Sequence, residues 1–264
     1  MTKKSDRYKV LEVNPTKRLP VCFLIDKSFS MRAVTGGKRT GRKYVKDGQE
    51  WEEVEDAGPM RIDILLNGVR QYVRDIQSNN KAYSSVELSI ISFGDNVEIV
   101  RQFSQVDSSE NISIVAGDDN TFLGKAVRSA CQLLAMRKED YKSRSVGYFQ
   151  PQLVIFTDGC ATDTNVCQEV AKEVQTLMQN TDLFCLPFLI GTDEGKSVLS
   201  LFGPKHEVFS LHDVNLTDLF QYLSASTISL STSQAGSSNE IYEKILKDIR
   251  NKKKDWRDIS APRG

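Results

Sequence analysis

The sequence predicts an α/β fold, a doubly wound and mostly parallel sheet with one antiparallel edge strand and helices on both faces. Three observations carry this expectation. Short, uninterrupted apolar bursts at residues 19–25, 153–156 and 183–190 end in polar loops, as strands buried on both faces do. Between the bursts lie segments whose apolar residues recur at helical spacing. One pair of runs, 86–93 and 97–100, is separated only by Gly94, Asp95 and Asn96 and reads as a hairpin.

The elements follow in order. Residues 19–25 are rich in β-formers and run into Asp26, a first buried strand. A polar, glycine-bearing stretch extends from Arg32 to Gly58. From Pro59 to Gln77, Ile62, Leu65, Leu66, Val69, Val73 and Ile76 form one helical stripe, with Pro59 placed in the first turn. The hairpin follows. A helix is expected over 121–136, with Leu123, Ala126, Val127, Ala130, Leu133 and Leu134 inward. The burst 153–156 ends at Thr157-Asp158-Gly159, and a helix is expected over 163–179. After the strand at 183–190 come a short helix near 194–201, an edge strand at 206–209 and a last helix at 214–228. From Ser224 to Asn239 the chain is rich in Ser, Thr and Gly and reads as a linker.

The expected organisation is an N-terminal extension at 1–17, a domain at 18–231 with an insertion at 35–58, and a Ser-rich linker with a short charged tail or helix at 232–264. The tail reads either as a solvated terminus or as a docking peptide anchored by Trp256. Lys and Arg number 35, Asp and Glu 35, so the net charge is +0; a whole-protein footprint for nucleic acid is absent. No apolar run approaches the ~20 residues of a membrane span, and the opening MTKKSDRYKV has no apolar stretch of a secretory leader. Five cysteines, an odd count without a CxxC pair, argue against a zinc cluster or disulfide framework and for a reducing compartment.

Two loops leave the carboxyl ends of buried strands, where open α/β sheets hold ligands. One carries Asp26, Ser28 and Ser30, whose alternation lets an extended loop aim three oxygens at one point; the other carries Asp158. Thr121 precedes a helix and adds a hydroxyl. Carboxylates with hydroxyls, lacking imidazole or thiolate, suit a hard cation such as Mg²⁺, with Mn²⁺ or Ca²⁺ as alternatives. With only two carboxylates the ion stays electrophilic and open to an external acid. The plainer alternative is that Ser28 and Ser30 cap a turn and Asp158 caps a helix.

Asp26-x-Ser28-x-Ser30, then Thr121, then Asp158-Gly159 resemble, in order and spacing, the metal-ion-dependent adhesion site of von Willebrand factor type A domains, over about residues 18–231. The stretches 18–21, 121–124, 157–159 and 223–226 further resemble the bacterial TerY-like branch. The resemblance implies a cation-dependent protein-binding module rather than an enzyme, with Asp26, Ser28, Ser30, Thr121 and Asp158 on the metal directly or through water. It also implies a cytoplasmic setting linked to tellurium resistance and stress, with a kinase or protein phosphatase as a candidate partner.

Two features depart from that pattern. Phe29 stands where most members have Gly, and its ring either packs under the neighbouring insertion or contacts the partner. The insertion is basic in its first half and acidic in its second, and Tyr44, Val45, Trp51 and Val54 suit a small hairpin around Asp47-Gly48. It reads as a solvated loop or as a partner-reading element over the site, with Trp51 a contact residue. Asp118 and Asp119 read first as turn residues and second as groups supporting the metal ligands, and His206 and His212 receive no role. A Mg²⁺-dependent hydrolase or phosphotransferase is the alternative function; against it, Ser28 stands where a second Asp is needed and no phosphate-binding glycine loop occurs. Nucleic-acid binding through 38–46 or 252–254 is a third and lesser reading.

Overall fold

The structure, a computed structural model, describes residues 16–34, 36–46, 48–107, 112–158, 160–191, 193–211 and 216–232, together with Lys247. Strand β1 (Leu19–Asp26) is buried along its whole length. It pairs in parallel with β4 (Val86–Phe93) on one side and β6 (Gln152–Thr157) on the other. Beyond β6 lie β7 (Phe184–Ile190) and β8 (Phe209–Leu211), both parallel. Strand β5 (Val97–Gln105) is the antiparallel edge, giving the order β5-β4-β1-β6-β7-β8. The expected fold class is the observed one.

Alternation along β1 divides the core in two. Leu19, Val21, Phe23 and Ile25 face helices α1 (Arg61–Ser78) and α6 (Leu216–Thr232). Cys22 and Leu24 face α3 (Leu123–Ser143) and α4 (Thr164–Gln179). Phe23 centres the first layer, its ring 5.0 Å from Tyr72, 5.6 Å from Phe156 and 6.2 Å from Phe220. Each large apolar side chain removed from water in this way contributes about 1.5–3 kcal/mol.

Several expectations need correction. Pro59 precedes α1, which starts at Arg61 after Met60. A short helix α2 (Asn80–Ser85), capped by the Asn79 side chain on Ala82 N, was not foreseen. Strand β5 and helix α3 run past their expected ends, because half-exposed residues weaken the apolar signal there. The expected short helix near 194–201 divides into α5 (Lys196–Leu199) and a 3-10 turn, Ser200–Phe202. The last strand is Phe209–Leu211 rather than 206–209, since Lys205 and His206 turn through positive φ.

The linker expected from Ser224 is helical to Thr232. Its hydroxyls are accommodated inside the fold: Ser224 donates to Asp75 at 2.6 Å, Tyr72 donates to Thr227 at 3.2 Å, and Ser231 donates back to the Ile228 carbonyl. Composition alone cannot tell a solvated serine from one that has found a partner. A chain ending at Leu223 is therefore expected to melt below one ending at Thr232 by about 5 °C or more, having lost Leu230 from the core; equal melting curves would contradict this packing.

The insertion forms a separate two-stranded antiparallel hairpin, β2 (Lys38–Lys46) and β3 (Gln49–Glu55). Its opposite charges meet across the strands as Arg39–Glu52, Arg42–Glu53 and Lys43–Glu50. Among the described residues no helix is long and apolar enough to cross a membrane. All five cysteines are free, and only Cys160 is exposed. Asp47, Gly159, His212, Trp256 and, apart from Lys247, the tail expected at 232–264 beyond Thr232 lie outside the described residues.

Candidate metal centre

Asp26 ends β1 between the ends of β4 and β6, and Asp158 directly follows β6. The loop after β1 is not extended as its alternating residues suggested. Ser28 makes one parallel bridge to Asp118, with Phe29 N donating to the Asp118 carbonyl at 2.7 Å, and Phe29–Arg32 then coils into a 3-10 turn. The turn still brings the oxygens together, by stacking Ser30 over Ser28 rather than by alternation.

Asp26 is wholly buried. Its Oδ1 accepts from Ser28 N at 2.8 Å, and its Oδ2 accepts from Thr157 Oγ1 at 2.5 Å. Ser28 Oγ and Ser30 Oγ lie 3.1 Å apart, and the Ser30 hydroxyl is hydrogen-bonded to Asp158. Four of the five expected ligands, Asp26, Ser28, Ser30 and Asp158, thus form one connected cluster. Thr121 is buried in the adjoining loop, three residues after the Asp118 that bridges Ser28. It is tied to the loop after β6 by Thr121 N donating to Thr162 Oγ1 and Thr162 N donating to the Thr121 carbonyl.

Burial, and then the neighbouring Asp158 carboxylate, push the Asp26 carboxyl up to about 7 against hydrogen bonds from Thr157 and Ser28. Burial raises Asp158 as well, opposed by Ser30 and Arg61. Two carboxylates withdrawn from water beside each other are stabilised by a cation. The donors are oxygens only. Among the described residues no group of three or more His, Cys, Asp or Glu side chains gathers to hold an ion, so a soft, thiolate- or imidazole-rich site is not what these residues build. The exposed Cys160 thiol is raised by burial, Glu194 and Asp158, the opposite of a reactive thiolate. The cluster therefore fits a hard divalent cation.

Sequence reading missed three supporting residues. Thr157, the last residue of β6, anchors Asp26. Arg61, 97 positions from Asp158, lies 3.4 Å from its Oδ2. Asp163 accepts from Gly124 N and Lys125 N, capping the start of α3 from outside that helix. No local pattern announces such partners. Asp118 is, as expected, a loop-building residue: its carboxylate accepts from Asp95 N at 2.9 Å and pairs with Lys27 at 3.3 Å.

Phe29 packs edge-on to Trp51 at 5.1 Å, and the Arg32 guanidinium lies 4.7 Å over Trp51 and 5.5 Å from Phe29. Phe29 packs against the insertion and so fastens the hairpin to the turn after β1.

An open α/β sheet with an oxygen-lined cluster at the carboxyl ends of its strands defines a class of fold. No protein-family model and no curated protein matches the sequence. Solved structures resemble the fold. The von Willebrand factor domain of the type V pili tip protein Mfa5 from Porphyromonas gingivalis superimposes with a TM-score of 0.57 at 11% identity, over 84% of this chain and 99% of that one. The D319A mutant of the PilB minor pilin from Streptococcus sanguinis gives 0.54 at 13%, over 83% and 64%. Proximal thread matrix protein 1 from the mussel byssus, with a zinc-occupied MIDAS motif, gives 0.50 at 14%, over 80% of this chain and 47% of that one. This chain thus spans about half of the mussel protein's length. The chain has the fold of a von Willebrand factor type A domain.

Proposed function

We propose that the protein is a divalent-cation-dependent binding module, not an enzyme, whose metal is held by Asp26, Ser28, Ser30, Thr121 and Asp158 and takes an acidic side chain of a partner protein. The observation that carries this is the hydrogen-bonded cluster of Asp26, Ser28, Ser30 and Asp158 at the ends of β1 and β6. The zinc-occupied MIDAS motif of the similarly folded mussel protein supports a divalent ion; all-oxygen donors favour Mg²⁺, with Mn²⁺ or Ca²⁺ as substitutes. When bound, the ion supplies a positive centre to which a carboxylate oxygen can attach. The chain's own part is to hold the two carboxylates in place, Asp26 through Thr157 and the Ser28 amide, Asp158 through Ser30 and Arg61.

Finer assignments extend this reading. Phe29 and Trp51, beside the metal loop, and Trp256 in the tail are proposed partner contacts, and the hairpin at 35–58 a reader of the partner. The domain is proposed to span 18–231, with flanking segments at 1–17 and 232–264. Resemblance to the TerY-like branch supports a cytoplasmic stress or defence role beside a kinase or protein phosphatase. The test is retention of partners from cell extract on immobilised protein. Proteins held in Mg²⁺ and released by EDTA are expected, and retention unaffected by EDTA would refute the metal mechanism.

Proton linkage gives a second test. A carboxyl at about 7 in the fold but 3.8 in a model peptide binds more protons in the native state between those values. Metal-free stability therefore falls as pH rises through that window. Cation affinity changes in the opposite sense, since the ion displaces the proton: it should climb with pH to about 7 and then level off. Calorimetric Mg²⁺ titrations across this range check the slope; a flat profile would contradict it.

A further inference from the structure

Arg61 occupies a position that local rules disfavour. It is the first residue of α1, where the helix dipole is positive and a cation is unfavourable. What offsets this is tertiary: its Nη1 lies 3.4 Å from Asp158 Oδ2, both side chains being largely buried. The guanidinium is also seated against backbone. Gly191, at the end of β7 with φ +92, leaves it room; a Cβ there would lie 2.6 Å from Nη2 and 2.8 Å from Cζ. Its own amide donates to the Ala33 carbonyl at 2.9 Å, and Val34 bridges Met60, so the start of α1 is fixed to the end of the metal-loop turn. Arg61 is therefore a fixed positive charge beside one of the two carboxylates of the centre.

We propose that Arg61 is a built-in counter-cation of the metal centre that keeps its intrinsic affinity for a divalent ion low, leaving an incoming acid to supply the missing negative charge. The inference rests on the metal reading above. Two carboxylates alone present two negative charges to the ion, and a guanidinium in contact with Asp158 cancels one of them. At such distances in a half-buried site, one unit charge changes affinity by about tenfold or more. Arg61 acts through Asp158 and is a positioning residue, not a ligand.

Mn²⁺ titrated calorimetrically into the full chain tests this, beside thermal melts without metal. Arg61→Gln is expected to bind Mn²⁺ about tenfold tighter than the wild type and to melt lower when metal-free, because Asp158 has lost its counter-charge. Arg61→Met keeps the aliphatic stem beside Gly191 and serves as a second neutral variant should the first fail to fold. Arg61→Lys retains the charge and is expected to bind no tighter than the wild type. A merely structural role for Arg61 would lower the melting temperature without tightening the ion. Neutral variants with unchanged or weaker Mn²⁺ binding overturn the inference, as does Arg61→Lys binding as tightly as Arg61→Gln. No Mn²⁺ bound by wild type or variant overturns the metal reading along with it.

Discussion

Asp26→Asn is expected to abolish the thermal stabilisation that divalent cations give the protein, while leaving its metal-free melting temperature at about pH 8 unchanged or higher. Asp26 is wholly buried beside Asp158, and at that pH it must be ionised without water. Its hydrogen bonds from Ser28 and Thr157 only partly offset this. Asparagine keeps the size, accepts from the Ser28 amide through its carbonyl, and can donate to Thr157 through its amide. It removes the charge that repels Asp158 and the charge that attracts a cation. Melting curves with and without Mg²⁺ separate the two consequences. A metal-induced rise that survives in Asp26→Asn would remove Asp26 from the centre. A steep loss of metal-free stability would make it a structural residue instead.

Gly124→Val is expected to lower stability by about 3 kcal/mol, a drop of about 10 °C in melting temperature, and to weaken cation binding. At Gly124 a Cβ would lie 2.6 Å from Cys167 N and 2.8 Å from the Val166 carbonyl carbon. These are backbone atoms of α4 and cannot rotate away, so the two helices must separate. Separation pulls Gly124 N and Lys125 N from the Asp163 carboxylate and shifts the loop holding Thr121. The exposed neighbour Lys125→Ala supplies the control, with little change in melting. If Gly124→Val melts like the wild type, the close approach of α3 and α4 is wrong.

The buried strands and the principal helices were legible because their signal is local. A run such as residues 19–26 has to be apolar on both faces to sit mid-sheet, and α1 has to repeat at 3.6 residues to cover it. Where a residue's surroundings come from elsewhere, that signal failed. Ser224, Thr227 and Ser231 looked like linker until Asp75, Tyr72 and the helix's own carbonyls accounted for their hydroxyls. Phe29 left two readings open, and the Trp51 ring, brought over by the hairpin, met it.

The candidate site divides along the same line. Asp26, Ser28, Ser30 and Asp158 were legible from their residue types and their places after strands, since a hard cation needs oxygens and strand ends are where such oxygens gather. Thr121 was legible as a hydroxyl before a helix, and all five from the resemblance of their order and spacing to a known motif. What sets the charge and basicity of that cluster was not in the string. Thr157 reaches Asp26 across 131 positions and Arg61 reaches Asp158 across 97. The sequence alone determined which chemical groups are present and which segments bury themselves, because hydrophobic periodicity is a property of neighbouring residues. The tertiary structure alone decided which carboxylate is desolvated and which is neutralised, because Coulomb and hydrogen-bond energies depend on separation in space and not along the chain.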